Sequence, residues 1–245
     1  MCYRVHRLLI YRFPMLETLT PQALFYALLG GVLPALVWLW FWLKEDKKRP
    51  EPRGLIMLAF FAGMASVVLV YPLEMLVANF VAEGPIRLAL WAAIEETVKF
   101  GTIILVITGS RHFDEPIDAM IYMITVALGF AALENTLFLI QPITSGQTLV
   151  SFLTGNLRFL GATLLHVIAS ATVGAMIAFS FFRPVGKKIM GILGLCIATA
   201  LHTAFNFFIM KENGPDPFSI FLWLWIGAIV IIFLFEGIKQ RSQHA

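Results

Sequence analysis

Acidic and imidazole side chains occur inside long apolar stretches of this chain, where ionisable groups are costly. They are Glu95, Glu96, Glu134, His166 and His202. An ionisable group in the middle of a bilayer costs several kcal/mol, so it is first considered as functional. A carboxylate can act as a general base toward water, and imidazoles can hold that water or stabilise an oxyanion. The residue types therefore predict a hydrolytic site, and a proton relay in a transporter is the alternative.

The composition predicts a membrane environment for these side chains. The chain has 245 residues, of which 59% are hydrophobic and 13% are charged. Soluble domains average about 45–50% apolar and about 25% charged residues. The net charge is only +3 and the mean hydropathy is +0.84. Membrane lipids are thus the expected surroundings, and nucleic acid is not expected as a partner.

Seven apolar stretches are long enough to cross a bilayer as helices. About 20 residues suffice for this, and helices satisfy every backbone hydrogen bond in lipid. The fold class predicted is all-α, a polytopic transmembrane bundle of about seven helices. We expect an N-terminal segment over 1–21, one transmembrane domain over 22–238 and a tail over 239–245. The stretches are 22–43, 54–81, 85–109, 116–142, 156–182, 187–210 and 217–238.

Proline positions suggest where these helices are interrupted. Pro72 lies inside the second stretch and predicts a kink or an early end. Pro142, Pro184 and Pro215 are interpreted as loop residues.

The distribution of Lys and Arg predicts the orientation of the bundle. These residues concentrate in the odd-numbered connections, above all in 44–53, and in the C-terminal tail. The positive-inside rule then places the C-terminus in the cytoplasm and the N-terminus outside an inner (plasma) membrane. Arg4, Arg7 and Arg12 contradict this orientation. Translation from Met15 would remove the conflict, and an amphipathic segment on the membrane surface is the alternative.

The five ionisable residues share one depth in the membrane. Glu95 and Glu96 follow the start of the third stretch by about ten residues, as His166 follows the start of the fifth. Glu134 and His202 precede the ends of the fourth and sixth by about eight. At 1.5 Å per residue, all lie roughly 12–16 Å from the same face. We expect them to meet in a cavity on the extracytoplasmic side.

Two chemistries remain open for such a cavity. Glu134, His166 and His202 could bind a catalytic zinc, with Glu95 or Glu96 as the base. Without a metal, a glutamate would activate water directly. Glu95 and Glu96 diverge by about 100° on a helix, so only one of them can point at the common centre.

Further residues could support the site. Lys99 lies three residues after Glu96 and four after Glu95, so it can neutralise either. Asn206 shares a helix face with His202, and Phe130 shares one with Glu134. A single His or Asn in a membrane helix is more often a hydrogen-bonding link between helices. The common depth of the whole set favours a functional site over that interpretation.

Four motifs occur in order, each on its own predicted helix. They are EExxK at 95–99, FxxxEN at 130–135, His166, and HxxxN at 202–206. Together they resemble the PrsW family of intramembrane proteases. The related CAAX prenyl proteases and bacteriocin-processing proteins show EExxxR and FxxxH instead, so the PrsW branch is favoured.

The resemblance implies an intramembrane endopeptidase. Its expected substrate is a single-pass membrane protein such as an anti-sigma factor, cleaved at site 1 on the extracytoplasmic side in a stress response. The residues expected to catalyse are Glu95, Glu96, Glu134, His166, His202 and Asn206, supported by Lys99, Phe130 and Asn135.

A transporter or channel explains the same sequence less well. It needs polar groups across the whole membrane, and the inner half offers only Asp118. We find no internal repeat of the kind that many transporters have. A non-catalytic scaffold leaves the buried glutamates without a role. The uncharged connection 142–155, which contains Gly146 and Gly155, is a candidate gate for substrate.

Overall fold

Helices account for almost all of the residues that the structure describes. It is a computed structural model, and it describes residues 19–45, 50–107, 110–147, 161–210 and 217–242. Within these ranges the chain forms seven helices and no strand, which confirms the predicted all-α class. They are α1 (Pro21–Glu45), α2 (Arg53–Phe80), α3 (Pro85–Ile107), α4 (Pro116–Thr144), α5 (Thr163–Phe179), α6 (Pro184–Met210) and α7 (Pro217–Ser242).

Five of these helices, α1, α2, α4, α6 and α7, are long and apolar enough to cross a membrane. Helix α3 has sufficient length, but Arg87, Glu95, Glu96 and Lys99 lie along it. Helix α5 is apolar and spans 17 residues. Large aliphatic and aromatic side chains are exposed along the outer helices, as expected where a helix contacts lipid.

Prolines interrupt the helices less than the sequence suggested. The interpretation of Pro142 and Pro184 as loop residues was wrong. Pro184 is the first residue of α6, where no backbone N–H is needed, and Pro142 lies in the last turn of α4. Helix α2 continues through Pro72 to Phe80. Helix α5 is described from Thr163, and the residues from 148 to 160, which include Gly155, lie outside the described part of the chain.

Helix α4 forms the centre of the bundle. Of its most apolar stretch, 83% is buried, compared with 17% for α1 and for α6. Close backbone approach to α2 makes this possible. A Cβ atom on Gly129 would lie 1.9 Å from the carbonyl oxygen of Phe60, and one on Gly63 would lie 2.1 Å from that of Val126. Glycine at both crossings lets two helices pack in contact, as is common in membranes.

The start of α4 is fixed by its own side chains. The Asp118 carboxylate accepts hydrogen bonds from the backbone N–H groups of Asp114 (2.9 Å) and Glu115 (2.7 Å), which forms a capping box. One turn later, the Tyr122 hydroxyl donates to the carboxylate of Glu51. Asp118 therefore has a structural role at the helix end.

The turn between α2 and α3 ties these two helices together. The Arg87 guanidinium donates from Nε to the carbonyl oxygen of Val81 (2.8 Å) and from a terminal nitrogen to that of Ala78 (3.3 Å). One turn further along α3, the indole N–H of Trp91 donates to the carbonyl oxygen of Glu74 (3.0 Å). Arg87 thus donates hydrogen bonds to backbone carbonyl groups at the end of α2, where carbonyls have no partner within the helix. Glu95 follows Trp91 by one more turn, so its position relative to α2 is set by these contacts.

Candidate active site

Glu96 is the buried anchor of a cluster between α3, α5 and α6. Its Oε1 accepts hydrogen bonds from Lys99 Nζ at 2.5 Å and from His202 Nδ1 at 2.8 Å. The Glu96 and Lys99 side chains are 0% exposed and that of His202 is 3% exposed. A buried carboxylate requires such a countercharge and such donors. Glu96 therefore holds Lys99 and His202 in place from within the bundle.

The hydrogen bond to Glu96 determines which nitrogen of His202 carries the proton. The Glu96 carboxylate is the acceptor, so Nδ1 carries the hydrogen and Nε2 has a free lone pair. That Nε2 faces Glu95 Oε2 at 3.9 Å. Among the described residues, Glu95 Oε2 is buried without a hydrogen-bond partner. Two acceptor atoms thus face each other with no donor between them, a gap that suits a cation or a water molecule.

His166 joins the same cluster from α5. Its Nδ1 lies 2.9 Å from Lys99 Nζ, and its Nε2 lies 3.1 Å from Glu134 Oε2. An ammonium group only donates, so His166 accepts at Nδ1 and donates from Nε2 to Glu134. The imidazole rings of His166 and His202 meet edge to face, with centroids 5.1 Å apart. The Phe130 ring packs against His166, and Lys99 Nζ lies over that ring at 4.9 Å.

Three side chains could hold a metal ion. Glu95, His166 and His202 each offer a ligand atom, and these atoms lie within 4.8 Å of one another. Two imidazoles and one carboxylate form a known ligand set of catalytic zinc, which keeps a fourth position open. Glu95 Oε2, which has no hydrogen-bond partner in the described ranges, and the His202 Nε2 lone pair that faces it fit this use directly. To bind the metal, His166 would have to give up its contact with either Lys99 or Glu134.

A cavity of about 80 Å³ lies beside the cluster, between α2, α3 and α4. Glu95, Glu134 and Glu74 line it, and its other walls are mainly apolar, formed by residues such as Val70 and Phe130. A cavity needs about 10–15 Å³ of such volume to hold one water. The cavity is therefore large enough to hold water beside both Glu95 and Glu134. The Glu134 side chain is 19% exposed, more than the other members of the cluster.

The family described as PrsW family intramembrane metalloprotease matches residues 51–238. The chain belongs to the PrsW family. The match contains all four motifs and the whole cluster around Glu96, and it confirms the resemblance seen in the sequence. Membership makes the chain a peptide hydrolase.

Relatives named Protease PrsW align along most of their length. The one from Geobacillus kaustophilus is 32% identical over 91% of this chain and 95% of its own length. The one from Bacillus subtilis is 26% identical over 83% of this chain and 93% of its own length. The one from Clostridioides difficile is 29% identical over 74% of this chain and 78% of its own length. No solved structure shows a significant match to the chain.

The two asparagines of the PrsW motifs occupy different positions. Asn135 is buried, and its Nδ2 donates to Thr163 Oγ1 at 2.9 Å, which links α4 to α5. Asn206 lies one turn after His202 on α6 and is partly buried. Among the described residues, the Asn206 side chain makes no hydrogen bond to the cluster. The structure thus brings together all the expected site residues except two: Asn135 bonds to Thr163, and Asn206 lies one turn after His202.

Sequence reasoning missed one carboxyl group at this PrsW site, that of Glu74 on α2. Its side chain lines the same cavity as Glu95 and Glu134. The sequence does contain a signal for this residue: Glu74 is the one charged residue in the apolar stretch 54–81, where a charge is costly.

Proposed function

We propose that this PrsW-family chain is an endopeptidase that cleaves a single-pass membrane protein near the extracytoplasmic face, with zinc held by Glu95, His166 and His202. The observation that carries the proposal is the 3.9 Å gap between His202 Nε2 and Glu95 Oε2. No donor from the described part of the chain lies between these two buried acceptors, and such an arrangement is costly unless a ligand joins them.

The ligand set differs in one member from the set proposed from the sequence alone. There Glu134 was grouped with the two histidines, and Glu95 was left as a candidate base. The geometry favours the reverse assignment, because Glu95 shares the 4.8 Å group with both imidazoles. Glu134 accepts a hydrogen bond from His166 and lines the cavity, where water has access.

Each residue of the site then has its own role in the hydrolysis. When bound, zinc supplies Lewis acidity toward the scissile carbonyl. Glu134 accepts a proton from water as the water oxygen bonds to the carbonyl carbon. The same carboxyl group returns that proton to the peptide nitrogen as the C–N bond breaks. Glu96 keeps His202 in the tautomer that presents Nε2, and Lys99 balances the charge of Glu96.

The location of the cluster supports cleavage toward one side of the membrane. Glu95 lies ten residues into α3, so it is about 15 Å from the start of that helix. That start faces the side opposite the Lys-rich connection 44–53, which favours an extracytoplasmic site in a plasma membrane with the N-terminus outside. An anti-sigma factor with one membrane span is a substrate of the expected kind. Its helix must unwind locally before a peptide bond can reach Glu134.

A combined metal and cleavage assay tests this proposal. The purified protein in liposomes would receive a single-pass reporter with an unstructured outer juxtamembrane segment. Zinc content and cleavage would be compared for wild type, Glu95→Gln, His202→Ala and Leu105→Ala. Leu105 is exposed on α3 and serves as the matched control.

We expect near-stoichiometric zinc in wild type and in Leu105→Ala, and loss of both zinc and cleavage in the other two variants. Cleavage by zinc-free protein that still requires Glu95 would replace the metal with a glutamate-activated water. Unchanged cleavage in Glu95→Gln and His202→Ala would contradict the site assignment.

A further inference from the structure

We propose that the cavity between α2, α3 and α4 is a specificity pocket, which takes up one aliphatic side chain of the substrate next to the scissile bond. Val70 on α2 would then be a specificity-determining residue, because its side chain limits the depth of the pocket. The proposal rests on the proposed function, since it needs Glu95 and Glu134 to act on the peptide. It adds a substrate class, namely bonds flanked by a small or branched aliphatic residue.

The polar and apolar parts of this cavity lie side by side. Glu95, a candidate metal ligand, and Glu134, which is bonded to His166, both line it, and most of the remaining wall is apolar. Ligand pockets commonly combine a few polar groups that fix orientation with apolar walls that bury the rest of the ligand. A peptide bond brought to Glu95 and Glu134 therefore has an apolar space beside it. A side chain that flanks the bond can enter this space.

The inner end of the pocket, its floor, is buried and closely packed. Val67, Val70 and Phe130 line the cavity there and form one buried hydrophobic cluster, with exposures of 6%, 3% and 1%. Ile94 on α3 and Leu133 on α4 pack against this cluster. Close packing keeps such side chains in place, so the floor does not recede easily to admit a larger group. The floor thus sets an upper limit on the size of the side chain.

The opposite end of the pocket, its rim, is less enclosed. The rim residues line the cavity and are partly exposed; they are Tyr71, Glu74 and Met75 on α2 and Leu137 on α4. They lie closer than the floor to the ends of α2 and α4 at Phe80 and Thr144. In the orientation proposed above, these ends face the extracytoplasmic side, where the substrate segment lies. A side chain can therefore enter at the rim and stop at the floor.

The size of the pocket favours an aliphatic side chain over an aromatic one. Its volume is about 80 Å³. An apolar cavity of about 150 Å³ in a protein takes up one benzene molecule. The space here is about half as large. It suits the side chain of alanine, valine or leucine, and a phenyl ring would enter only if the walls moved.

Val70 is the floor residue whose substitution tests the pocket most directly. Phe130 also packs against His166, whereas α2 carries none of the candidate metal ligands. Val70→Ala should deepen the pocket, and Val70→Leu should fill it. Val68→Ala is the matched control, since Val68 lies two residues away on the same helix and is 66% exposed.

A series of reporters measures the selectivity. The full-length protein in liposomes would receive the single-pass reporter, with the scissile bond mapped by mass spectrometry. The residue on each side of that bond would be changed in turn to alanine, leucine or phenylalanine, and kcat/KM measured for every reporter. A ratio of two reporters cleaved by one preparation does not depend on the fraction of folded protein. Zinc content would be measured on the same preparations.

We expect wild type to prefer the leucine reporter to the phenylalanine reporter by at least about 10-fold at one of the two positions. About 10–200-fold is the usual effect of one methylene in an apolar enzyme pocket. Val70→Ala should reduce this preference by about 10-fold or more, and Val70→Leu should shift the preference from leucine toward alanine by a similar factor. Val68→Ala should keep the wild-type ratios, and every variant should keep the wild-type zinc content.

Two results would overturn the proposal. One is equal or faster cleavage of the phenylalanine reporter by wild type at both positions, which decides the question even if the Val70 variants do not fold. The other is the same set of ratios in Val70→Ala, Val70→Leu and Val68→Ala. Either result, with Glu95→Gln inactive, would leave the proposed function standing. Full activity of Glu95→Gln would contradict the proposed function itself.

Discussion

Glu96 Oε1 accepts hydrogen bonds from both Lys99 and His202, at 2.5 Å and 2.8 Å, in a part of the bundle that is closed to solvent. This relationship separates the roles of two adjacent glutamates. Glu96 faces the interior and holds its neighbours, whereas Glu95 faces the cavity.

Glu96→Gln should destabilise the folded protein. The substitution leaves the buried Lys99 ammonium without its countercharge, and breaking a buried pair in this way costs about 3–5 kcal/mol. Thermal unfolding in detergent measures the effect. The double variant Glu96→Gln/Lys99→Met removes the unpaired charge, so it should recover much of the stability without recovering cleavage. If Glu96→Gln unfolds at the wild-type temperature, the ion pair is not structural.

Glu95→Gln, in contrast to Glu96→Gln, should not destabilise the folded protein. Among the residues that the structure describes, Glu95 Oε2 has no hydrogen-bond partner, so removing its charge takes away a buried group that folding leaves unsatisfied. We expect metal-free Glu95→Gln to be at least as stable as metal-free wild type, while cleavage in the presence of zinc is lost because the variant lacks a metal ligand. Thermal unfolding in the presence of a chelator, followed by the reporter assay, checks both parts. A large drop in stability would show that Glu95 serves the fold and would weaken its assignment to the reaction.

Asp118→Ala should affect stability and leave the chemistry intact. The Asp118 carboxylate caps α4 through the backbone N–H groups of Asp114 and Glu115, and loss of such a cap costs about 0.5–2 kcal/mol. Cleavage per folded molecule should match wild type, because Asp118 lies near the opposite end of α4 from Glu134. A reporter assay normalised to folded protein provides the measurement. Loss of cleavage in well-folded Asp118→Ala would indicate a polar path across the whole bundle, as the transporter hypothesis requires.

The sequence predicted the helices and the members of the cluster well, because both leave local signals. An apolar stretch of about 20 residues is recognisable without any neighbour. Ionisable residues in such stretches stand out for the same reason, and common depth was enough to group Glu134, His166 and His202. The PrsW motifs added an independent reason to expect the same residues.

What the sequence did not provide depends on how helices rotate against each other. Glu95 and Glu96 are adjacent, and only the packing of α3 against α2 and α6 shows which one faces the cavity. Glu74 was missed because it lines the cavity from α2, and no spacing rule fixes the rotation of α2 relative to α3. Pro142 and Pro184 were wrongly predicted to be loop residues. Proline is compatible with a loop and with the first or last turn of a helix, so its presence alone does not distinguish these cases.

Gly129→Ala should disrupt the central crossing of the bundle. The added Cβ would lie 1.9 Å from the carbonyl oxygen of Phe60, a backbone atom that cannot move without shifting α2. Overpacking of this kind costs about 1–3 kcal/mol.

Gly101→Ala on α3 is the matched control. Nothing lies within 4 Å of its Cβ position, so alanine there should be neutral or stabilising by up to about 1 kcal/mol. Thermal unfolding of the two variants in the same detergent gives the comparison. Because α4 carries Glu134 and residues of α2 line the cavity beside it, the shift should also lower cleavage in Gly129→Ala and not in Gly101→Ala. Equal stability of the two variants would mean that the backbones of α2 and α4 do not meet at this point.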